Sequence, residues 1–133
     1  MPRTLDDLLT AAAGRIRRFT PAEALAAEAA ILDIRAQDAR DRHGAIPGAY
    51  HVPRTVLEWR VASREWRNTE LDGRMLILVC DHGYSSVLAA ATLADLGREA
   101  GDVEGGFAAW CAAGLPVTAA RAWDGLPGMG PPD

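Results

Sequence analysis

An α/β domain, with a mostly parallel sheet covered by helices on both faces, is the fold class this sequence predicts, and three observations predict it. Helix-like and strand-like segments alternate along the chain. The most apolar run, MLILVC at 75–80, has the length and composition of a strand buried on both faces. A second short apolar run, AILDI at 30–34, carries Asp33 where its strand should end, as the first run carries Cys80. In open parallel sheets the active crevice lies beyond the carboxyl ends of the strands, which is where both residues fall.

The elements follow in order. Leu5, Leu8, Leu9 and Ala12 recur at helical spacing and predict an amphipathic first helix. Thr20-Pro21 is a start signal, a capping side chain before proline at the first helical position, for a helix through Ala22 to about Ala29. AILDI then reads as a strand. The charged, glycine-punctuated stretch 35–48 reads as a connecting loop, and Tyr50-His51-Val52 as a short strand closed by Pro53. Residues 56–66 suit a helix with Val56, Trp59 and Trp66 as core contacts, and 68–73 a turn. MLILVC is the expected central strand. SSVLAAATLADLG follows as a helix with Ser85 or Ser86 as N-cap and Gly97 as its stop. A brief strand near 99–103 precedes a last helix over 107–113. Beyond Val117 the composition shifts to glycine and proline, so residues 1–117 read as one domain and 118–133 as a disordered or loosely docked tail.

Composition narrows the function classes. The chain has 133 residues, enough for one core, and a net charge of −4. All 14 basic residues are arginine, scattered rather than striped, which argues against a nucleic-acid partner. The acidic N-terminus does not read as a signal peptide, and no apolar stretch approaches the roughly 20 residues of a membrane span. Two cysteines, Cys80 and Cys111, neither in a Cys-x-x-Cys pair, do not make a disulfide scaffold or a structural zinc site. The expectation is a protein of the reducing cytoplasm, with no membrane association.

The chemistry concentrates in Cys80-Asp81-His82-Gly83-Tyr84-Ser85-Ser86. A six-residue loop from Cys80 to Ser85 must reverse direction between a strand and a helix. Gly83 permits a positive φ or a close backbone approach. Amide groups converging in such a loop, backed by a helix N-terminus, form an anion-binding nest. A thiol facing that field is favoured as thiolate, the nucleophilic form. Asp81 acts against this unless it points to solvent. A cysteine closing an apolar strand can equally be inert packing, so spacing alone leaves the two readings even.

Four stretches in sequence settle the preference. Leu32-Asp33-Ile34-Arg35 carries Asp-x-Arg at the end of an early strand. His43-Gly44-Ala45-Ile46-Pro47-Gly48-Ala49 is followed by His51-Val52-Pro53. The Cys80 loop comes third, and Gly105-Gly106-Phe107-Ala108-Ala109-Trp110 with Gly114-Leu115-Pro116-Val117 comes last. In this order, over about residues 21–117, they resemble the rhodanese family of sulfurtransferases. That resemblance implies a three-layer α/β/α domain with about five strands. It implies transfer of sulfane sulfur from a donor, thiosulfate or similar, to a thiophilic acceptor through a Cys80 persulfide, without metal or organic cofactor. Residues 81–86 (Asp81, His82, Gly83, Tyr84, Ser85 and Ser86) would bind substrate, with Asp33 and Arg35 in support. The partner would be a small sulfur donor or a protein persulfide donor.

One departure bears on specificity. The family commonly places arginine where this chain has Ser85, and arginine pairs bidentately with an oxyanion. Poor use of thiosulfate is therefore expected, with a neutral or protein-bound donor preferred unless His82 or Arg54 supplies the charge. The fold also hosts cell-cycle phosphatases of the dual-specificity type, whose loop is one residue longer and holds the arginine; the short loop here argues against that activity. A non-catalytic binding or sensing module, or a thiol redox sensor, are the competing readings. His43 and His51 read as loop hydrogen-bonding residues, Tyr84 as lining the pocket mouth, Trp110 as a core anchor and Cys111 as buried and inert.

Overall fold

The computed structural model describes residues 1–123 and 125–133. Five strands form one all-parallel sheet in the order β1-β5-β4-β2-β3. They are β1 (Arg17–Phe19), β2 (Ala30–Asp33), β3 (Tyr50–His51), β4 (Leu76–Val79) and β5 (Ala100–Val103). The expected central strand is the middle one, and every residue of β4 is buried. Alternation assigns its residues to the two faces. Leu76, Leu78 and Cys80 pack in one apolar cluster with Leu32, Ala89, Ala90 and Leu93. Ile77 and Val79 pack in the other with Phe19, Val103, Phe107 and Trp110.

Helices α4 (Leu57–Ala62) and α5 (Ser85–Asp95) cover the first face, with α1 (Leu5–Ala13) packed on α5, and α2 (Pro21–Ala26) and α6 (Gly106–Ala112) cover the second. Both early helices start on a reciprocal cap. Thr4 accepts from the Asp7 amide at 3.1 Å while the Asp7 carboxylate accepts from the Thr4 amide at 3.0 Å. Thr20 and Glu23 repeat the arrangement at 3.2 and 2.9 Å. Each such cap is worth about 1 kcal/mol. At the far end of α5 the Gly97 amide donates to Ala94 O and the Arg98 amide to Leu93 O, the paired bonds of a glycine stop.

Several expectations need correction. The stretch 35–48 contains a helix, α3 (Gln37–His43), and Arg17–Phe19 forms an edge strand. Trp59 and Trp66 are exposed; the core contacts of α4 are Leu57 and Val61. The second helix ends at Ala26, earlier than expected. The N-cap of α5 is Tyr84, without a side-chain cap bond, and Ser85 and Ser86 are its first two helical residues. Cys111 is exposed rather than buried.

The glycine- and proline-rich segment is docked. Asn68 Nδ2 donates to Gly128 O at 3.1 Å, Arg60 Nε to Pro127 O at 2.8 Å, and Arg40 pairs with the Asp133 carboxylate. Among the described residues no helix is long and apolar enough to cross a membrane.

Candidate active site

β4 delivers Cys80 to the carboxyl edge of the sheet, and α5 begins five residues later, so the loop between them folds over the sulfur. Cys80 is buried, 7 % exposed. The Gly83 amide donates to Sγ at 3.1 Å, and the Ser86 hydroxyl lies 3.3 Å from Sγ. Of the amides expected to converge on the sulfur, Gly83's is the one that bonds it. Ser86 is fully buried, while Asp81, His82, Tyr84 and Ser85 face solvent. Asp81 is thus turned outward, where water screens its charge from the thiol.

The loop is held from behind by α6. The Phe107 amide donates to Cys80 O at 2.8 Å and the Ala108 amide to Asp81 O at 3.0 Å. This approach demands glycine twice. Gly83 has φ +83°, and a Cβ there would lie 2.7 Å from the Gly105 amide nitrogen. Gly106 has φ +62°, and a Cβ there would strike Cys80 O and lie 2.8 Å from the Gly83 nitrogen. The Gly-Gly pair read in the sequence is therefore the seat of the Cys80 loop.

Behind Ser86 lies a buried polar chain. The Ser86 hydroxyl is 2.7 Å from Asp102 Oδ2, and Asp102 is wholly buried on β5. Arg18 on β1 is the register neighbour of Asp102 and grips it with Nε to Oδ1 at 2.9 Å and Nη2 to Oδ2 at 3.1 Å. The same Nη2 donates to Gly83 O at 2.9 Å, which closes a ring from Cys80 through Ser86, Asp102, Arg18 and Gly83 back to the sulfur. Asp102, through its hydrogen bonds first, holds the Arg18 guanidinium above its ordinary value, and Glu104 and Cys80 add to that pull at longer range. Sequence reasoning passed over Arg18 and Asp102. The available signal was a carboxylate inside the apolar strand AGDV, which when buried must find a cation or hydrogen-bond donors.

Asp33 and Arg35 lie at the end of β2, both buried. Asp33 accepts from the Arg35 amide at 3.1 Å, from Arg35 Nε at 3.0 Å and Nη2 at 2.8 Å, and from Arg40 Nε at 3.1 Å. Arg35 also donates to Gly44 O at 2.8 Å and stacks 3.9 Å over the Phe107 ring, beneath the residue that holds the Cys80 carbonyl. The path from Asp33 to the loop is therefore Arg35, then Phe107. His51 donates Nε2–H to Arg35 O at 2.8 Å, because a carbonyl can only accept. Arg54 is paired with Glu58 at 2.8 Å, so its charge is compensated.

Two clefts flank the loop. One of about 470 Å³ is lined by Arg42, His43, Asp81, His82, Phe107 and the exposed Cys111, among others. The other, about 330 Å³, runs past Leu9, Thr10 and Ala13 of α1 to Arg18, Gly83 and Tyr84. His82 and Tyr84 stand at the lip between them with ring centroids 6.5 Å apart. Among the described residues no group of three or more His, Cys, Asp or Glu is arranged to hold a metal ion.

Cys80 is thus a buried cysteine under an amide, beside a hydroxyl and a compensated ion pair. No curated protein sequence gives a significant match. Among solved structures, a Rhodopseudomonas palustris protein described as of unknown function and a possible tyrosine phosphatase is 30% identical, with TM-score 0.82 over 89% of this chain and 96% of that one. A rhodanese-related protein of Thermoplasma volcanium is 26% identical, with TM-score 0.64 over 78% of this chain and 99% of the other. A thiosulfate sulfurtransferase of Pseudomonas aeruginosa is 27% identical, with TM-score 0.61 over 78% of this chain but 20% of that longer chain. Residues 20–113 match the family model of the rhodanese-like domain, which spans most of the core just described. The chain belongs to the rhodanese-like family.

Proposed function

We propose that the protein is a sulfurtransferase in which Cys80 carries sulfane sulfur as a persulfide. The observation that carries this reading is the environment of Sγ: an amide donor at 3.1 Å and a hydroxyl at 3.3 Å, at the carboxyl end of the central strand. With thiosulfate, the Cys80 thiolate attacks the outer sulfur, the S–S bond of the donor breaks, and sulfite leaves with the bonding pair. Cys80–S–S⁻ remains. A thiophilic acceptor such as cyanide then takes the outer sulfur, forming thiocyanate and restoring the thiolate. An outer sulfur extends about 2.0 Å beyond Sγ, toward the loop mouth. The loop stabilises each anion with fixed dipoles rather than mobile water.

The donor in vivo is proposed to be neutral or presented by a protein, since the arginines lining the two clefts are ion-paired, Arg18 with Asp102 and Arg42 with Asp38, and Arg54 is held by Glu58. Ser85 adds a hydroxyl and no charge. A reducing compartment, the cytoplasm, suits a working thiol. The same compensation argues against phosphoryl transfer, which needs a clamp on three charged oxygens.

The test is the intact mass of the wild type and of Cys80→Ser after thiosulfate, then after mercaptopyruvate. One added sulfur, absent from the variant and removed by cyanide, is the expected result. No added sulfur with either of these or with a protein persulfide would leave the non-catalytic module as the better reading.

A further inference from the structure

The ring around Cys80 contains one hydroxyl proton that two acceptors contest. Asp102, ion-paired to Arg18, can only accept, and at 2.7 Å it takes the Ser86 proton. Ser86 Oγ then meets Cys80 at 3.3 Å as an acceptor, and the thiol S–H donates to it. For an anionic sulfur, thiolate or persulfide, the Ser86 proton must swing from Asp102 to Sγ. Asp102 tolerates that loss because Arg18 keeps two N–H groups on it.

Asp102 also governs Arg18. The guanidinium is part-exposed in the cleft beside Gly83 and Tyr84, so it stands at the loop mouth. Its charge there is cancelled by a carboxylate that is itself fully buried. The other charged groups around the loop, Asp81, Glu104 and Arg42 (itself paired with Asp38), are exposed and screened.

We propose that Asp102 determines the charge of the donor that Cys80 accepts, by neutralising Arg18 and by holding the Ser86 hydroxyl. This rests on the sulfurtransferase reading for its substrate, though not for the field it describes. With Asp102 in place the mouth is electrically balanced and suits an uncharged donor, such as the protonated form of a persulfide, R–S–SH. That donor reacts as Cys80–S⁻ + R–S–SH → Cys80–S–SH + R–S⁻, with the leaving thiolate taking the bonding pair. Without the Asp102 charge, Arg18 keeps its bond to Gly83 O and stands at the mouth as a free cation, the element an oxyanion donor requires.

The experiment compares alkylation of Cys80 by iodoacetate, an anion, and by iodoacetamide, its neutral analogue, followed by mass spectrometry of the Cys80 peptide at low ionic strength. The rate ratio reads the local field and needs no sulfur transfer. Asp102→Asn is expected to raise the iodoacetate-to-iodoacetamide ratio about tenfold, as an unpaired cation a few ångströms away should. Asp102→Asn combined with Arg18→Met is expected to return the ratio to the wild-type value. A ratio within twofold of wild type in Asp102→Asn, or one equally raised in the double variant, overturns the proposal. If Asp102→Asn does not fold, Arg18→Gln carries the test: a lowered ratio supports the assignment and an unchanged one overturns it. Thiosulfate kcat/KM should rise with the ratio in Asp102→Asn. If the ratio shifts while no donor loads sulfur on Cys80, the field assignment stands and the sulfurtransferase reading falls.

Discussion

The Phe107 amide donates to the Cys80 carbonyl at 2.8 Å, which fastens the first turn of α6 to the root of the active loop. That bond forms only because Gly106, the residue before it, has no side chain. Gly106→Ala would put a methyl group against the Cys80 carbonyl at a positive φ, and neither side is a flexible chain end. The expected result is a loss of more than about 2 kcal/mol of stability with slower Cys80 alkylation, since the strain falls on the loop. Urea unfolding and alkylation rates check it; unchanged values in both would mean that the loop yields easily.

Ser85 is the exposed first residue of α5, at the loop mouth. Ser85→Arg adds a cation to the loop mouth. Thiosulfate kcat/KM is expected to rise at least about tenfold, mostly through KM, because a bidentate guanidinium binds the donor before and during transfer. Helix stability should fall by about 0.5 kcal/mol, since a cation opposes the dipole at that end. A variant with KM for thiosulfate no lower than the wild type's would defeat the charge argument.

Ser86 supplies a side-chain hydroxyl at the sulfur. Ser86→Ala removes the proton that an anionic sulfur would draw from Asp102. Hydrogen bonds to charged groups are worth about 1.5–3 kcal/mol, so a loss of about ten- to a hundredfold in kcat is expected. Stopped-flow persulfide formation would read it, and a rate equal to wild type would exclude Ser86 from the step.

Much of this was legible in the sequence, for physical reasons that differ by element. AILDI and MLILVC announced β2 and β4 because parallel strands covered on both faces read as near-continuous apolar runs, broken in β2 only by Asp33 at its end. Gly83, Gly105 and Gly106 were conspicuous because close backbone approach leaves no alternative residue. α3 was hidden. Its buried residues are Ala39 and Arg40, and Arg40 is accepted inside only because Asp33 and Asp133 meet its charge. A helix whose inward face carries an arginine shows no apolar period. β1 is three residues long, too short for a pattern, and so Arg18 escaped notice. Its partner Asp102 lies 84 residues away in the chain, a pairing that only the strand order creates.

Asp33 is the shared anion of two buried arginines. Asp33→Ala leaves Arg35 and Arg40 without it, and removal of one member of a buried ion pair costs about 3–5 kcal/mol. Asp133 and Gln37 still hold Arg40, so the larger disturbance is expected at Arg35 and, through its stacking on Phe107, at the Cys80 loop. Thermal unfolding should show the loss, and Cys80 alkylation should lose its protection in the same variant. A loss below about 1 kcal/mol would show that the network is not cooperative.

His51 predicts the acid limb of stability. Burial is the main cause that draws its imidazole below the ordinary value of 6.5; Arg40 acts in the same sense, against the Arg35 carbonyl, Asp33 and Asp133. Below pH 6.5 the unfolded chain therefore binds the proton first, and stability falls with it until the folded imidazole also titrates. Above that pH both states are neutral and His51 contributes no slope. His51→Gln keeps a donor for the Arg35 carbonyl and cannot titrate. Between about pH 8 and about pH 5 the wild type should lose more unfolding free energy than His51→Gln, measured by urea titration of each. Parallel losses in the two proteins would show that His51 does not set the acid limb.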